Sequence, residues 1–253
     1  MGRILLIQSR ERSESLVSER SNFERALKGL AELDCLSALD SKIAHTAPSD
    51  LIDPYDAFIF GGSAEFDIHG GREDRDPARL MSMIILSRVR MFMTYARAAG
   101  KPVLGICFGH QLIAEVYGGC VTHDCSQKKC GTYEVSLTEE GKRDKFFKNL
   151  PEKFFAQYAH RDSVTSLPEG AVQLADGAAC RFSALRYDSC VYTMQFHPEL
   201  GAAENIASLR RSVGYVPEGV EPESLVRESL EASQIIPLWF KYVVDGEADC
   251  PRE

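Results

Sequence analysis

One cysteine of this chain lies where a strand pattern changes into a helix pattern, a position that suits nucleophilic chemistry. The local sequence is GICFG, with Cys107 between Gly105 and Gly109. An apolar run over residues 102–106 predicts a buried strand, and helical spacing over residues 108–117 predicts a helix. The glycines favour a tight turn between the two, because a side chain there would collide with the backbone. A structural cysteine between two packing glycines is the alternative interpretation.

The start of a helix is a favourable place for a thiolate, which is the nucleophilic form of cysteine. In the predicted geometry, the Phe108 amide points towards an oxyanion formed beside the Cys107 sulfur. Gln111 lies one helical turn further on, so its side-chain amide is expected to face the same pocket. These features predict a nucleophilic role for Cys107.

Among the six histidines, His197 is the best candidate for the base that a nucleophilic cysteine needs. It follows a predicted strand over residues 191–196. Proline at position 198 favours an extended residue before it, so positions 197 and 199 can point the same way. Glu199 can then hold one imidazole nitrogen while the other faces the sulfur, as in a catalytic triad. An ordinary surface turn is the alternative.

Two other histidines are interpreted differently. His110 lacks a neighbouring acid and is predicted to pack near the site rather than to act in it. His160 and Asp162 belong to a polar cluster just after a predicted strand over residues 153–158, which indicates the edge of a site. A solvated turn explains that cluster almost as well.

Three motifs occur in the chain in a fixed order. They are GICFGHQ at residues 105–111, HRDSV at residues 160–164 and FHPE at residues 196–199. Together they resemble the class I, or triad-type, glutamine amidotransferases, closest to the GMP-synthase glutaminase-like branch. The resemblance covers roughly residues 3–199 and implies an α/β fold with a flavodoxin-like open, mostly parallel sheet.

The resemblance also assigns roles to individual residues. It implies a Cys107 nucleophile, a His197 base with Glu199 as its partner, oxyanion donors at Gly62 and Phe108, and a substrate pocket shaped by Gln111, His160 and Asp162. The family usually continues the oxyanion loop as Gly-Gly-Pro, whereas Ser63 follows the two glycines here.

The implied function is hydrolysis of the glutamine side-chain amide through a cysteine thioester, giving glutamate and ammonia without a cofactor or metal. The chain has no phosphate-cradling Gly-Lys-Ser/Thr loop, so a separate synthetase is expected to accept the ammonia. A γ-glutamyl peptide or amide hydrolase with the same triad is one alternative. A non-catalytic regulatory module of the same fold is another.

Strand and helix patterns alternate through the first half of the chain, and the second half is β-rich with flanking helices. Strands are predicted over residues 3–8, 34–39, 56–60, 102–106, 132–137, 153–158, 171–174, 183–187 and 191–196, and helices over 13–30, 78–99, 108–117 and 225–244. We expect one domain over residues 1–253, in which 201–253 form a helical extension.

The polar stretch over residues 63–77 follows the glycine pair that ends a predicted strand. It is expected either to lie over the site or to be a solvated connection. If it lies over the site, Arg72 or Arg75 can pair with a substrate carboxylate.

The composition is that of an ordinary soluble protein, with 253 residues, 44% hydrophobic and 26% charged. A net charge of −8 gives no broad basic face, so neither nucleic acid nor an anionic membrane is an expected partner. No apolar run approaches the ~20 residues of a transmembrane helix. We expect a cytoplasmic protein with reduced cysteines. The spacing of Cys120, His123, Cys125 and Cys130 matches no paired zinc knuckle, so no metal is expected there.

Overall fold

Alternating strands and helices form the first half of the chain, and shorter strands dominate the second half. The computed structural model describes residues 2–178, 180–212 and 214–246. Its strands are β1 (Gly2–Gln8), β2 (Ala31–Ser37), β3 (Ala57–Phe60), β4 (Val103–Ile106), β5 (Cys120–Thr122), β6 (Lys129–Leu137), β7 (Lys153–His160), β8 (Ser163–Ser166), β9 (Val172–Gly177), β10 (Cys180–Arg186) and β11 (Val191–Met194). Its α-helices are α1 (Ser13–Ala26), α2 (Lys42–His45), α3 (Pro48–Ile52), α4 (Pro77–Ala98), α5 (Phe108–Val116), α6 (Glu139–Arg143), α7 (Ala202–Arg211) and α8 (Ile235–Trp239).

Nine of these strands form one sheet in the order β2-β1-β3-β4-β11-β10-β9-β6-β7. The first five run parallel, and the remaining strands join them in antiparallel pairs. Strands β5 and β8 form a separate antiparallel pair. The predicted open sheet with a parallel core and a β-rich second half is confirmed.

Both faces of the sheet are covered, which explains the continuous apolar run in its central strands. In β1, Ile4 and Leu6 belong to one core cluster, and Leu5 and Ile7 belong to the other. The first cluster includes Trp239 from α8, whose side chain is 0% exposed. The second cluster is formed largely by α4 and α5. This alternation follows from the two-residue period of a strand.

The parallel strands bring their carboxyl ends to one edge of the sheet. Strands β1, β3, β4 and β11 end at Gln8, Phe60, Ile106 and Met194. The segments that follow these four residues therefore converge, although they are far apart in sequence. In open α/β sheets this edge is where ligands bind.

The tail departs from its predicted form. The expected helix over residues 225–244 begins only at Ile235, as α8, and continues as a π-helical turn over Phe240–Val244. The backbone before it bonds to the sheet instead, because the Leu225 carbonyl accepts the Thr132 amide at 2.9 Å. These bonds leave that segment unavailable for helix formation. The part of the predicted extension beyond residue 246 lies outside the described residues.

Some elements were not predicted, namely α2, α3, α6 and the β5–β8 pair. Helix α7 falls within the expected helical extension over residues 201–253, although its bounds were not predicted. Helix α7 follows a glycine and buries only Asn205 and Leu209, so its sequence carries little apolar periodicity. Among the described residues, no helix has the length and hydropathy needed to cross a membrane.

Candidate functional site

Cys107 forms the turn between β4 and α5 in a strained backbone conformation. Its φ is 52° and its ψ is −101°, and among the described residues it alone has a positive φ without being glycine. Its amide bonds to the Met194 carbonyl at 2.8 Å, and its own carbonyl accepts the Gln111 amide at 3.1 Å. Such strain persists only where the surroundings enforce it, and it is concentrated at functional sites.

The two flanking glycines are required by close packing. A Cβ atom at Gly105 would lie 2.8 Å from the Ile113 side chain, and one at Gly109 would lie 2.2 Å from the Phe60 carbonyl oxygen. The second distance means that the start of α5 rests directly on the end of β3. The predicted collision with backbone is confirmed at Gly109, whereas at Gly105 the closest atoms belong to the side chains of Ile113 and Thr193.

His197 and Glu199 follow β11 and form a buried pair. Nδ1 of His197 lies 2.7 Å from Oε1 of Glu199, and the two residues are 5% and 4% exposed. The His197 amide also donates to the Gln157 carbonyl at 2.8 Å, which holds the loop against β7. The carboxylate thus fixes one ring nitrogen and leaves the other for a different partner.

The charge of His197 depends on its neighbours. Burial alone lowers the pKa of His197, but the charges of Glu199 and Cys107 outweigh it and raise that pKa to about 10. The imidazolium is therefore favoured at neutral pH. Cys107 is 3% exposed, and its sulfur also contacts the Ala159 carbonyl oxygen at 3.6 Å. An imidazolium next to the sulfur stabilises a thiolate.

Gly62, which follows β3, lies against the other side of the nucleophile. A Cβ atom at Gly62 would lie 2.9 Å from the His197 ring, 3.4 Å from a guanidinium nitrogen of Arg10 and 3.5 Å from Cβ of Cys107. Phe108 is the first residue of α5, where amides lack partners within the helix. The structure thus places both predicted oxyanion donors beside Cys107.

The turn after Gly62 is held by side chains in place of a proline ring. The Ser63 hydroxyl accepts the amides of Glu65 and Phe66 at 3.1 and 2.9 Å. The Glu65 carboxylate accepts the amides of Glu11 and Arg12 at 2.6 and 3.0 Å. The loops after β1 and β3 are therefore joined, and serine supplies the local restraint that proline supplies elsewhere.

Gln111 and Asp162 are brought together. The Gln111 side-chain amide donates to the Asp162 carbonyl at 2.7 Å and to the Gln195 side chain at 3.1 Å. The Asp162 carboxylate accepts the amides of His69 and Gly70 at 2.6 and 2.7 Å, so it anchors the loop over residues 63–77. Direct contact of these residues with substrate stays a prediction.

His160 lies in the same network, at the end of β7. Its Nδ1 lies 3.0 Å from the Asp162 carbonyl oxygen. Burial lowers the pKa of His160 to about 4, so its ring is neutral at physiological pH. The ring is 1% exposed, and a role of His160 in shaping the substrate pocket stays a prediction.

A cavity of about 550 Å³ opens beside His197 and Glu199. Its walls come from the loop after β3, from α1, from α4 and from α7, and include Ala64, Phe66, Arg72, Ser15, Glu19, Met81, Arg161, Ser208 and Arg211. This volume is within the usual range for a small-molecule site.

Two arginines of that cavity share one carboxylate. Arg72 and Arg161 both contact Oδ2 of Asp67, at 3.1 and 3.0 Å. Arg75, the other arginine considered from sequence, is not among the lining residues. The predicted loop over the site is therefore present, with Arg72 on its inner side.

Sequence reasoning missed Arg10 and Glu19, which form a buried ion pair at 3.0 Å next to the candidate triad. Arg10 lies two residues beyond the carboxyl end of β1, where polar residues merit attention in this fold class. This position in the chain was the signal that could have identified Arg10 from the sequence.

The described residues contain no group of three or more His, Cys, Asp or Glu side chains arranged to hold a metal ion. In the stretch considered for zinc, Cys120 and Cys125 are exposed, whereas Cys130 is buried.

The sequence is also similar to that of known proteins. The family model for class-I glutamine amidotransferases matches residues 38–212. The A subunit of the glutamine-hydrolysing GMP synthase of Methanocaldococcus jannaschii is 34% identical over 120 residues, which are 47% of this chain and 62% of the relative. Its counterpart in Archaeoglobus fulgidus is 27% identical over 159 residues, which are 62% of this chain and 74% of the relative. The match thus spans less than two thirds of the first of these relatives.

Solved structures have the same fold. A glutamine amidotransferase from Thermotoga maritima superposes with a TM-score of 0.67 at 19% identity, covering 95% of this chain and 96% of its own. Another from Methylobacillus flagellatus gives 0.65 at 18% identity, covering 96% of each chain. Since the family model spans most of the sequence, the chain belongs to the class-I glutamine amidotransferase family.

Proposed function

We propose that this chain hydrolyses the side-chain amide of glutamine through a thioester on Cys107, giving glutamate and ammonia. The observation that carries the proposal is the 2.7 Å contact between His197 and Glu199 beside the strained Cys107 turn. A nucleophile, a base and a group that orients the base are the parts that amide hydrolysis by acyl transfer needs.

In the proposed mechanism, the Cys107 thiolate attacks the carbon of the substrate amide. The amides of Gly62 and Phe108 bind the oxyanion of the tetrahedral intermediate. His197 gives its proton to the departing ammonia and then takes one from water. That water attacks the thioester and releases glutamate, which restores the free enzyme.

The ammonia is proposed to serve an acceptor on another polypeptide. The similar proteins from Methanocaldococcus jannaschii and Archaeoglobus fulgidus are both named as one subunit of a glutamine-hydrolysing GMP synthase. Those names support a glutaminase that works with a separate synthetase.

A γ-glutamyl peptide or amide hydrolase is the second candidate, and the cavity is the observation in its favour. The cavity reaches from His197 to Ser15 on α1 and Ser208 on α7. A substrate longer than glutamine would extend along those two helices.

The deciding experiment measures glutamate release by the purified protein from glutamine, glutathione and γ-glutamyl dipeptides. We expect the highest kcat/KM with glutamine and no activity in Cys107→Ala. Cys125→Ala is the matched control, because this thiol is exposed and distant in sequence from the turn. A much higher kcat/KM for a γ-glutamyl peptide would favour the second candidate, and activity of Cys107→Ala would contradict both.

A further inference from the structure

Arg10 and Glu19 form a buried ion pair that a contribution to stability explains poorly. Nε of Arg10 lies 3.0 Å from Oε1 of Glu19, and the side chains are 12% and 1% exposed. The side chain of Gln8 donates a further bond to Glu19 at 3.1 Å. Removing two charges from water is costly, and an apolar pair of equal volume often stabilises a fold as well or better. The pair therefore calls for a functional explanation.

The ion pair lies directly under the turn that carries Gly62. A Cβ atom at Gly61 would lie 2.5 Å from the Glu19 carboxylate, and one at Gly62 would lie 3.4 Å from the Arg10 guanidinium. Both glycines thus rest on the two charged groups. The two side chains therefore pack against the backbone on either side of the Gly62 amide.

Arg10 also faces the candidate triad. Its guanidinium interacts electrostatically with Glu199 and Cys107. Glu199 has one carboxylate oxygen in the contact with His197, and its other oxygen is buried without a hydrogen-bond partner among the described residues. Arg10 is therefore a fixed positive charge near a carboxylate that is only half satisfied.

The need for that charge arises in the proposed reaction. While His197 is an imidazolium, it balances Glu199. When His197 passes its proton to ammonia, Glu199 remains negative in a buried site, and an unbalanced buried charge is strongly unfavourable. A cation that never titrates lowers this cost, because a guanidinium stays protonated.

We propose that Arg10, held in place by Glu19, is a positioning residue that balances Glu199 when His197 loses its proton and that supports the Gly62 amide. This role rests on the proposed glutaminase reaction. The proposal gives Arg10, in the loop after β1, and Glu19, on α1, a part in catalysis that does not require contact with substrate.

The titratable groups around Arg10 come from several elements. Glu19 belongs to α1, Cys107 to the β4–α5 turn, and His197 and Glu199 to the loop after β11. Tyr215, which follows α7, lies near Arg10 as well. Each of these groups can change its charge, whereas Arg10 keeps its own.

Two further arginines lie close to this set. Arg25 of α1 donates to the Glu199 carbonyl at 3.1 Å, but its side chain is 51% exposed and pairs with Glu204. Arg161 stacks against Tyr215 at 4.3 Å and pairs with Asp67. Solvent screens the half-exposed Arg25. Arg161 is only 13% exposed, but Asp67 offsets its charge. Arg10 is the cation whose guanidinium interacts with both Glu199 and Cys107.

The test compares Arg10→Gln, Arg10→Lys and Glu19→Gln with Arg20→Gln. Arg20 is the matched control, because it pairs with Glu24 on the exposed side of α1. For Arg10→Gln we expect kcat to fall roughly 10- to 50-fold with KM changed less than about threefold. Arg10→Lys is expected to recover part of kcat, and Arg20→Gln to match the wild type.

The sign of the pH shift separates a charge effect from simple damage. Removing a nearby cation raises the pKa of His197, whereas removing a nearby anion lowers it. The pH dependence of kcat/KM should therefore move to higher pH by about one pH unit in Arg10→Gln and to lower pH in Glu19→Gln. Arg10→Lys should keep the wild-type profile. If Arg10→Gln and Glu19→Gln shift the pH profile in the same direction, or if neither variant shifts it, the proposal is overturned.

The rate of Cys107 alkylation by iodoacetamide, measured at several pH values, provides a second pH profile that does not require turnover. If the wild type proves inactive on glutamine, the proposed function fails, yet opposite shifts of the alkylation profile would still support the charge role of Arg10. If Arg10→Gln does not fold, the pH profiles of Glu19→Gln and Arg10→Lys are compared instead to test the proposal. A Glu19→Gln profile that does not move down contradicts the role of Arg10.

Discussion

Three buried histidines lie near the candidate site, and their partners determine their charge. Burial lowers the pKa of His110 to about 3 and that of His160 to about 4, because no side-chain carboxylate of the described residues opposes it at either ring. At His197 the Glu199 carboxylate reverses the effect of burial. His197, the candidate base, is thus distinguished from His110 and His160 by one acidic neighbour two residues away.

Replacing Glu199 by Gln tests this account through stability as well as turnover. The folded-state pKa of His197, about 10, lies above its ordinary value of 6.5. The resulting stabilisation is fully present below about pH 6.5 and is lost as the pH rises towards 10. We expect Glu199→Gln to be less stable than wild type at pH 6, and the difference to shrink by pH 10.

Urea titrations at several pH values measure that difference, and Glu32→Gln serves as a control at an exposed position. Turnover of Glu199→Gln should fall roughly 100-fold or more, since the imidazole loses its orienting charge. A stability difference that does not vary with pH would contradict the proposed pairing.

At the residue scale, the triad candidates were readable from sequence and the ion pair was not. Cys107, His197 and Glu199 each lie in a short motif whose local chemistry is visible. Arg10 meets Gly62 only because β1 pairs in parallel with β3, in the register Ile4 to Ala57. Such a contact depends on strand pairing across the sheet, which no local pattern encodes.

At the scale of elements, the loop over residues 63–77 is tied down at several points. Asp162 holds it through two backbone amides, and Asp67 joins it to Arg161. Arg72 reinforces Asp67 from within the loop and faces the cavity. The loop therefore forms a fixed wall of the candidate site.

Arg72→Ala should weaken substrate binding more than catalysis. The change removes a cavity-facing cation and one partner of Asp67, and a hydrogen bond to a charged group contributes about 1.5–3 kcal/mol. We expect KM to rise roughly tenfold with kcat changed less than about threefold. Steady-state kinetics with glutamine measure this split. Arg75→Ala, at an exposed position of the same loop, should leave both constants unchanged, and equal effects of the two substitutions would refute the role of Arg72.

Predicted elements match best where hydrophobic periodicity is strong. The predicted helix over residues 78–99 is observed as Pro77–Ala98, and the predicted strand over 3–8 as Gly2–Gln8. The β5–β8 pair was missed because its strands are short, and the bounds of α7 were not predicted because that helix is mostly polar. The β-rich half was located, but its place beside β11 follows from pairing rather than from pattern.

At the scale of the whole molecule, the C-terminal segment belongs to the main core. Trp239 packs in the same cluster as Ile4 and Leu6 of β1. We expect Trp239→Ala to lower the free energy of unfolding by about 3–5 kcal/mol. Leu230→Ala, at a side chain that is 70% exposed, should change it by less than about 0.5 kcal/mol.

Urea denaturation measures both changes, and activity per folded molecule should stay near that of the wild type. Trp239 lies against a face of the sheet, whereas the candidate site lies at its edge. A Trp239→Ala protein as stable as the wild type would show that this tail is an appendage.

The order of strands has a consequence for biosynthesis. Strand β11 pairs with β4 in parallel, with Val191 opposite Val103, so His197 reaches Cys107 only after most of the chain has been made. Contacts between such distant segments form late in folding. A nascent chain in which β11 has not yet been made therefore has Cys107 without His197 beside it. The reactivity that we propose for Cys107 can arise only once β11 has joined the sheet next to β4.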